Sequence, residues 1–223
     1  MKESTDMIKA VVFDMDGVLF DTERLYNIAW KEAAKDHPIG MEVDDLIVQC
    51  IGLNNNDTRA LFVRLFGADF PFDAYFGRIR ALFQEIIAKE LPVKPGVYEL
   101  LDWLKENGYP VALSTSTSRP SVDSHLSRTG LTKYFDAIVT GDTVEHSKPA
   151  PDIYLRACAL IGVDPSECIA VEDSPNGIRS AHAAGMMAVM VPDQVPCNDE
   201  LRAMLYREEP SLLTLLAHLK ETR

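Results

Sequence analysis

The chain has 223 residues, of which 47% are hydrophobic and 25% charged, and these proportions exclude collagen-like, disulfide-scaffold and largely disordered classes. Lysine and arginine number 22 against 34 aspartates and glutamates, which leaves a net charge of −12. This acidity argues against nucleic acids and anionic membranes as partners, whereas a local cationic pocket can still bind a small anion.

The cysteines and the first residues of the chain indicate the compartment. Cys50, Cys158, Cys168 and Cys197 form no Cys-x-x-Cys pair, so free thiols are predicted. The start of the chain lacks a cationic segment followed by an apolar stretch, and no apolar run approaches the roughly 18 residues of a membrane span. We therefore expect a cytoplasmic protein that has no membrane partner.

Five short, mainly apolar runs are predicted to form buried β-strands, since each is followed by polar residues. In chain order they are 8–13, 111–113, 137–139, 168–171 and 188–191. Helical patterns separate or follow them at 95–104, 151–162, 174–185 and 198–223. The alternation predicts an α/β fold with a Rossmann-like parallel sheet that is covered by helices on both faces.

The segment between the first two strands is predicted to be an all-helical insertion. It contains no strand-like run. Four apolar residues share one helical face after the candidate N-cap Thr22, and the pattern of residues 72–90 is typical of a longer helix. We expect a catalytic core of residues 1–21 and 93–223 and a helical cap domain of residues 22–92. Because parallel sheets bind ligands at the carboxyl ends of their strands, the cap is expected to cover that edge.

The first candidate site follows the first strand, where Asp14 and Asp16 lie in the run Asp-Met-Asp-Gly-Val-Leu-Phe-Asp. In an extended backbone, residues i and i+2 point to the same side, so the two carboxylates are expected close together. Neighbouring carboxylates resist joint ionisation unless a cation or a proton compensates. The alternative, an Asp-Gly turn with solvated acids, is disfavoured because apolar residues flank the run.

Three further polar segments follow predicted strands. The run 114–119 offers hydroxyls and amides that suit an anionic oxygen, although such runs are commonly helix caps. Lys148, in Ser-Lys-Pro-Ala-Pro-Asp, can neutralise a phosphoryl oxygen or belong to an ordinary surface loop. Glu172 and Asp173 suit a hard cation with oxygen ligands, and Asp173 or Ser174 can also cap the following helix.

Taken in order, these segments resemble the motifs of the haloacid dehalogenase superfamily, in its phosphatase and phosphomutase branch. Four motifs match. The first contains Asp14 and Asp16, the second Thr115, the third Lys148, and the fourth Glu172-Asp173-Ser174. The second motif is short and is assigned to Thr115 by its interval after the apolar strand, with Ser114 and Ser116 as the neighbouring alternatives. The match covers nearly the whole chain.

The resemblance implies phosphoryl transfer. Asp14 would be the nucleophile that forms an aspartyl phosphate, and Asp16 would act as general acid and then as general base. Lys148 would balance the charge of the nucleophile and of a phosphoryl oxygen, while Thr115 would position another oxygen.

The resemblance also implies a Mg²⁺ site. The ion would be held by Asp14, Asp173 and the backbone carbonyl of Asp16, with Glu172 beside it. Its positive charge would offset the repulsion between a carboxylate and a phosphate dianion.

Candidate substrate-binding residues are Glu23 and Asn54 in the cap and Ser116 and Arg119 in the core. Each has a plain alternative. Glu23 can be a first-turn charge that the helix dipole favours, Asn54 part of a polar loop, Ser116 part of a helix cap, and Arg119 a surface cation.

The β-phosphoglucomutases of this branch use a cap histidine and an arginine where Tyr26 and Asn55 stand here. Tyrosine is a poor substitute for an acid–base group of near-neutral pKa, and asparagine lacks the charge and the fork of a guanidinium. We therefore expect a Mg²⁺-dependent phosphatase that hydrolyses a small phosphorylated metabolite, such as a sugar or polyol phosphate. A phosphosugar mutase is the alternative, and a non-catalytic phosphate-ester-binding protein is less favoured. Either a monomer or a homodimer is expected.

Overall fold

The computed structural model describes residues 8–37, 39–50 and 55–222, which form two compact units. The first unit contains the described residues of Met1–Phe20 and Val93–Arg223, and the second those of Asp21–Pro92. The chain therefore leaves the first unit after one strand and returns to it about seventy residues later.

The first unit contains a six-stranded parallel sheet with the strand order β3-β2-β1-β4-β5-β6. The strands are β1 (Ala10–Phe13), β2 (Val111–Thr115), β3 (Ala137–Thr140), β4 (Cys168–Glu172), β5 (Met187–Met190) and β6 (Arg207–Glu208). Every residue of β1, β2 and β4 is buried, as continuous apolar strands covered on both faces require. The predicted α/β class with a parallel sheet is confirmed.

Six α-helices lie among the described residues of this unit, and the packing of helices against the sheet forms its core. They are α5 (Val97–Glu106), α6 (Arg119–Thr129), α7 (Asp152–Ile161), α8 (Pro175–Ala183), α9 (Asp199–Arg202) and α10 (Leu212–Glu221). Tyr154 of α7 and Ile178 of α8 are fully buried with alanines and valines of the strands. This packing holds the carboxyl ends of the strands in a fixed relation to one another.

The prediction of a helical tail is confirmed for α9 and α10, but it missed an edge strand between them. The edge strand β6 lies between α9 and α10 and pairs with β5, with Arg207 opposite Val189. Tyr206 N–H donates to the carbonyl of Ala188, and Glu209 N–H donates to that of Met190. Because β6 is two exposed residues long, it carries no hydrophobic alternation, and only backbone pairing reveals it.

The second unit is helical and has an aromatic core. Its helices are α1 (Thr22–Asp36), α2 (Val43–Cys50), α3 (Asn55–Phe66) and α4 (Phe72–Lys89). Trp30 is 3% exposed and meets the ring of Phe76 edge-on, with ring centroids 5.2 Å apart. The expectation of Thr22 as N-cap was wrong: Asp21 occupies the cap position, and its carboxylate accepts a hydrogen bond from Arg24 instead.

The described cysteines and helices bear on two further expectations. All four cysteines are free thiols, as predicted. Within the described ranges, every helix falls short of the length or the apolar character that crossing a bilayer demands.

Candidate active site

The candidate site lies at the carboxyl ends of three adjacent strands. The central strand β1 has β2 on one side and β4 on the other, with Phe13 level with Leu113 and Val171. The polar residues that follow these positions therefore meet at one edge of the sheet. Asp14 N–H continues the pairing by donating to the carbonyl of Val171 at 2.9 Å, which fixes the Asp14 backbone against β4.

Lys148 links the carboxyl ends of these three strands. Its Nζ donates to Asp14 Oδ1 at 2.7 Å, to Glu172 Oε1 at 2.6 Å and to the carbonyl oxygen of Ser114 at 3.1 Å. Burial lowers the pKa of Lys148, but the two carboxylates raise it by more, and the group stays charged. The ammonium therefore pairs with both acids away from solvent.

Glu172 is fully buried and is held by several donors besides Lys148. The Tyr154 hydroxyl donates to its Oε1 at 2.6 Å, and the Ser174 hydroxyl donates to its Oε2 at 3.1 Å. A β-carbon on Gly177, in the first turn of α8, would collide with this carboxylate, so glycine makes room for it. A buried carboxylate needs such compensation, and Glu172 receives it from three different segments.

Asp173 approaches the first loop because Gly17 has no side chain. Gly17 has a φ of +77°, and a β-carbon there would lie 2.6 Å from Asp173 Cγ. Lys94 supports the loop, with Nζ donating to the Gly17 carbonyl and to Asp193 Oδ1, both at 2.7 Å. The turn at Gly17 thus brings the acid after β4 against the loop after β1.

Carboxylate oxygens of Asp14, Glu172 and Asp173 all lie within 4.8 Å of one another. All three residues are buried, and burial raises the pKa of Asp14 to about 8, against the lowering effect of Lys148. One ammonium cannot balance three acids, so the cluster favours a bound cation. Carboxylate oxygens are ligands that Mg²⁺ accepts, and the donor set therefore fits this ion.

The second aspartate of the first motif contacts the loop after β2. The Thr117 hydroxyl donates to Asp16 Oδ2 at 2.7 Å, and Thr117 N–H donates to Thr115 Oγ1 at 3.1 Å. Thr115 itself is 1% exposed and ends β2. Asp16 is therefore hydrogen-bonded to the loop after β2, whereas Asp14, two residues earlier in the chain, is paired with Lys148.

The predicted substrate-binding residues Ser116 and Arg119 lie in the first unit and Glu23 in the second. Ser116 is exposed, and the guanidinium of Arg119 pairs with Asp123 of its own helix at 2.8 Å. Glu23 is half-buried on α1 in the second unit, and Asn54 lies outside the described residues.

Several contributors to the site were missed by the sequence reasoning. Tyr154 falls within the predicted helix 151–162, and Thr117 within the hydroxyl-rich run 114–119. Lys94 lies just after the boundary between the predicted cap and core. Neither spacing nor residue type separated these residues from their neighbours.

Comparison with known proteins identifies the family of the chain. A family model described as haloacid dehalogenase-like hydrolase matches residues 8–185. The chain belongs to this family. The matched range contains all the residues predicted from the motifs, and it confirms the predicted resemblance.

Two relatives and one solved structure show which members of the family this hydrolase resembles in sequence and fold. It is 32% identical to Phosphorylated carbohydrates phosphatase of Thermotoga maritima, over 80% of this chain and 82% of the relative. It is also 32% identical to Hexitol phosphatase B of Escherichia coli O157:H7, over 94% of each. A putative β-phosphoglucomutase structure from Thermotoga maritima superposes with a TM-score of 0.79 at 31% identity, covering 97% of this chain and all of that one.

Proposed function

We propose that this hydrolase is a Mg²⁺-dependent phosphatase that cleaves a small phosphate monoester through an aspartyl phosphate on Asp14. The observation that carries the proposal is the buried contact between Asp14 and Lys148, within the same cluster as Glu172 and Asp173. The two relatives named as phosphatases of carbohydrates and hexitols support a sugar or polyol phosphate as the substrate.

The first step transfers the phosphoryl group to the protein. An oxygen of the Asp14 carboxylate attacks phosphorus, the bond from phosphorus to the substrate oxygen breaks, and Asp16 gives its proton to the departing alkoxide. Lys148 lowers the repulsion between the attacking carboxylate and the phosphoryl oxygens. Uncatalysed monoester hydrolysis can require an acceleration of about 10²¹-fold, so division into two easier steps matters.

The second step regenerates Asp14. Asp16, now a carboxylate, takes a proton from a water molecule that attacks phosphorus, and the bond between phosphorus and Asp14 breaks to release inorganic phosphate. Thr115 and Ser116 are the proposed donors to phosphoryl oxygens at the end of β2. Glu23, Asn54 and Arg119 are kept as proposed contacts to the rest of the substrate, with the roles inferred from the sequence.

The residues proposed to hold Mg²⁺ are Asp14 and Asp173, with the backbone carbonyl of Asp16 and with Glu172 beside them. When bound, Mg²⁺ supplies positive charge next to the phosphoryl oxygens. The hydrogen bonds that Glu172 accepts from Lys148 and Tyr154 give it a second proposed task, the orientation of the Lys148 ammonium.

The structural likeness to a putative β-phosphoglucomutase keeps a phosphosugar mutase as the second candidate. Tyr26 argues against it. The Tyr26 ring meets Phe83 edge-on at 5.3 Å, and burial raises the pKa of its hydroxyl, which therefore stays protonated near neutral pH. A group in that state cannot exchange protons as a near-neutral histidine does.

A substrate panel tests the proposal. Sorbitol 6-phosphate, fructose 1-phosphate, β-glucose 1-phosphate and p-nitrophenyl phosphate are each assayed for phosphate release with Mg²⁺ and with EDTA. We expect release that requires Mg²⁺ in the wild-type protein, and its abolition in Asp14→Asn and Asp16→Asn. Asp69→Asn, which alters an exposed acid of the second unit, is the matched control. Near-normal release by either active-site variant would contradict the assignment.

The mutase alternative has its own assay. β-Glucose 1-phosphate is supplied with a glucose 1,6-bisphosphate primer, and glucose 6-phosphate is measured beside inorganic phosphate. Formation of glucose 6-phosphate faster than phosphate release would replace the phosphatase by the mutase.

A further inference from the structure

A contact of Asp16 suggests how its carboxyl group is oriented. The Thr117 hydroxyl donates to Asp16 Oδ2 at 2.7 Å, although the two residues are 101 positions apart in the chain. A hydrogen bond to one oxygen restricts rotation of the carboxyl group and leaves its other oxygen to carry the proton. The contact therefore couples the orientation of Asp16 to the loop that follows β2.

That loop is itself attached to the sheet. Thr117 N–H donates to Thr115 Oγ1, and the Thr117 carbonyl accepts a hydrogen bond from Gly141 N–H at 3.4 Å. Gly141 follows β3 and packs so closely on Ser116 that a β-carbon would collide with the Ser116 carbonyl. Thr115 pairs with Thr140 in the parallel ladder of β2 and β3. The hydroxyl of Thr117 is thus carried on backbone that two strands hold in place.

We propose that Thr117 is a positioning residue for Asp16, whose hydroxyl holds the general acid in the orientation from which it protonates the leaving oxygen. The inference rests on the proposed function and adds a residue that none of the motifs assigns. In this role Thr117 acts through Asp16 and not on the substrate itself. The proton still passes from the Asp16 carboxyl group to the alkoxide as the bond between phosphorus and oxygen breaks.

The dependence on leaving group separates this role from a purely structural one. An alkoxide leaves only with a proton, whereas p-nitrophenolate leaves readily without one, so misorientation of the acid should slow only the first class of substrate. The parameter to compare is kcat/KM, because it reports the steps up to formation of the aspartyl phosphate and not its later hydrolysis.

The test compares Thr117→Val and Thr117→Ser with wild type on sorbitol 6-phosphate and p-nitrophenyl phosphate. For Thr117→Val we expect kcat/KM to fall about 10- to 100-fold on the alkyl phosphate and less than about threefold on the aryl phosphate. Thr117→Ser keeps the hydroxyl and should stay within about threefold of wild type on both. Thr129→Val is the control, since the Thr129 hydroxyl donates to backbone carbonyls of α6, and it should change neither value.

Each outcome distinguishes this inference from the proposed function. Equal losses on both substrates, or failure of the serine variant to restore activity, would make Thr117 merely structural. Normal kinetics of Thr117→Val, in a protein whose Asp16→Asn variant is inactive, would overturn the inference alone. Should wild type release no phosphate from either compound, or Asp16→Asn remain active, the proposed function would fail and the inference with it.

Discussion

Replacement of Gly17 by alanine tests the geometry that brings the loop after β1 and the loop after β4 together. Gly17 has a φ of +77°, in the left-handed region that residues with a β-carbon rarely adopt. An added β-carbon would also lie 2.6 Å from Asp173 Cγ. The substitution therefore combines backbone strain with a collision at a proposed metal ligand.

The two effects have separable magnitudes. The left-handed conformation costs an alanine about 1–2 kcal/mol of folding stability. Two carbon atoms make ordinary contact at about 3.5–4.0 Å, so the Asp173 carboxylate or the Gly17 loop would have to move by roughly 1 Å. Metal sites tolerate changes of only about 0.2 Å in ligand distance, and a lost supporting contact commonly weakens binding about 10- to 100-fold.

The assay measures unfolding in urea and the Mg²⁺ concentration for half-maximal thermal stabilisation. Gly108→Ala is the control, because Gly108 has a φ of +75° but open space where its β-carbon would stand. We expect both variants to lose about 1–2 kcal/mol from backbone strain. Gly17→Ala alone should need at least about 10-fold more Mg²⁺. If the two variants bind Mg²⁺ equally well, the close approach of Asp173 to Gly17 has no part in metal binding.

Three further predictions concern the charges of the cluster. Lys148→Met leaves two buried carboxylates without their ammonium. It should lower the free energy of unfolding, measured in urea without Mg²⁺, by about 3–5 kcal/mol. A loss below about 1 kcal/mol would show that Lys148 does not compensate these carboxylates. Tyr154→Phe removes one donor to Glu172 and should cost about 1.5–3 kcal/mol in the same assay, whereas an unchanged midpoint would mean that water replaces it. Mg²⁺ at 100 times its dissociation constant should stabilise the protein by about 2.7 kcal/mol and raise Tm by roughly 5–10 °C. K⁺ at equal ionic strength should not raise the Tm of the wild-type protein, and Mg²⁺ should not raise the Tm of Asp173→Asn.

The relation between sequence and structure differs from one part of the fold to another. The strands β1, β2 and β4 were predictable because a strand buried on both faces is apolar along most of its length. Their polar residues, Ser114, Thr115 and Glu172, stand at the carboxyl ends. The place of Asp14 followed from this pattern, since it is the first polar residue after such a strand. The edge strand β6 was not predictable, because two exposed residues that join a sheet through backbone hydrogen bonds leave no hydrophobic signal.

The sequence by itself determined the class of the fold and the identity of the acids and the lysine. Both follow from side-chain chemistry and from position relative to apolar strands, and these are properties of the linear sequence. Only the tertiary structure decided which groups meet: that Tyr154 donates to Glu172, that Lys94 supports the Gly17 turn, and that Thr117 reaches Asp16. These pairs are 18, 77 and 101 residues apart. Local propensity carries no information about such contacts, because they depend on the order of the strands in the sheet and on the close approach that glycines permit at the ends of those strands.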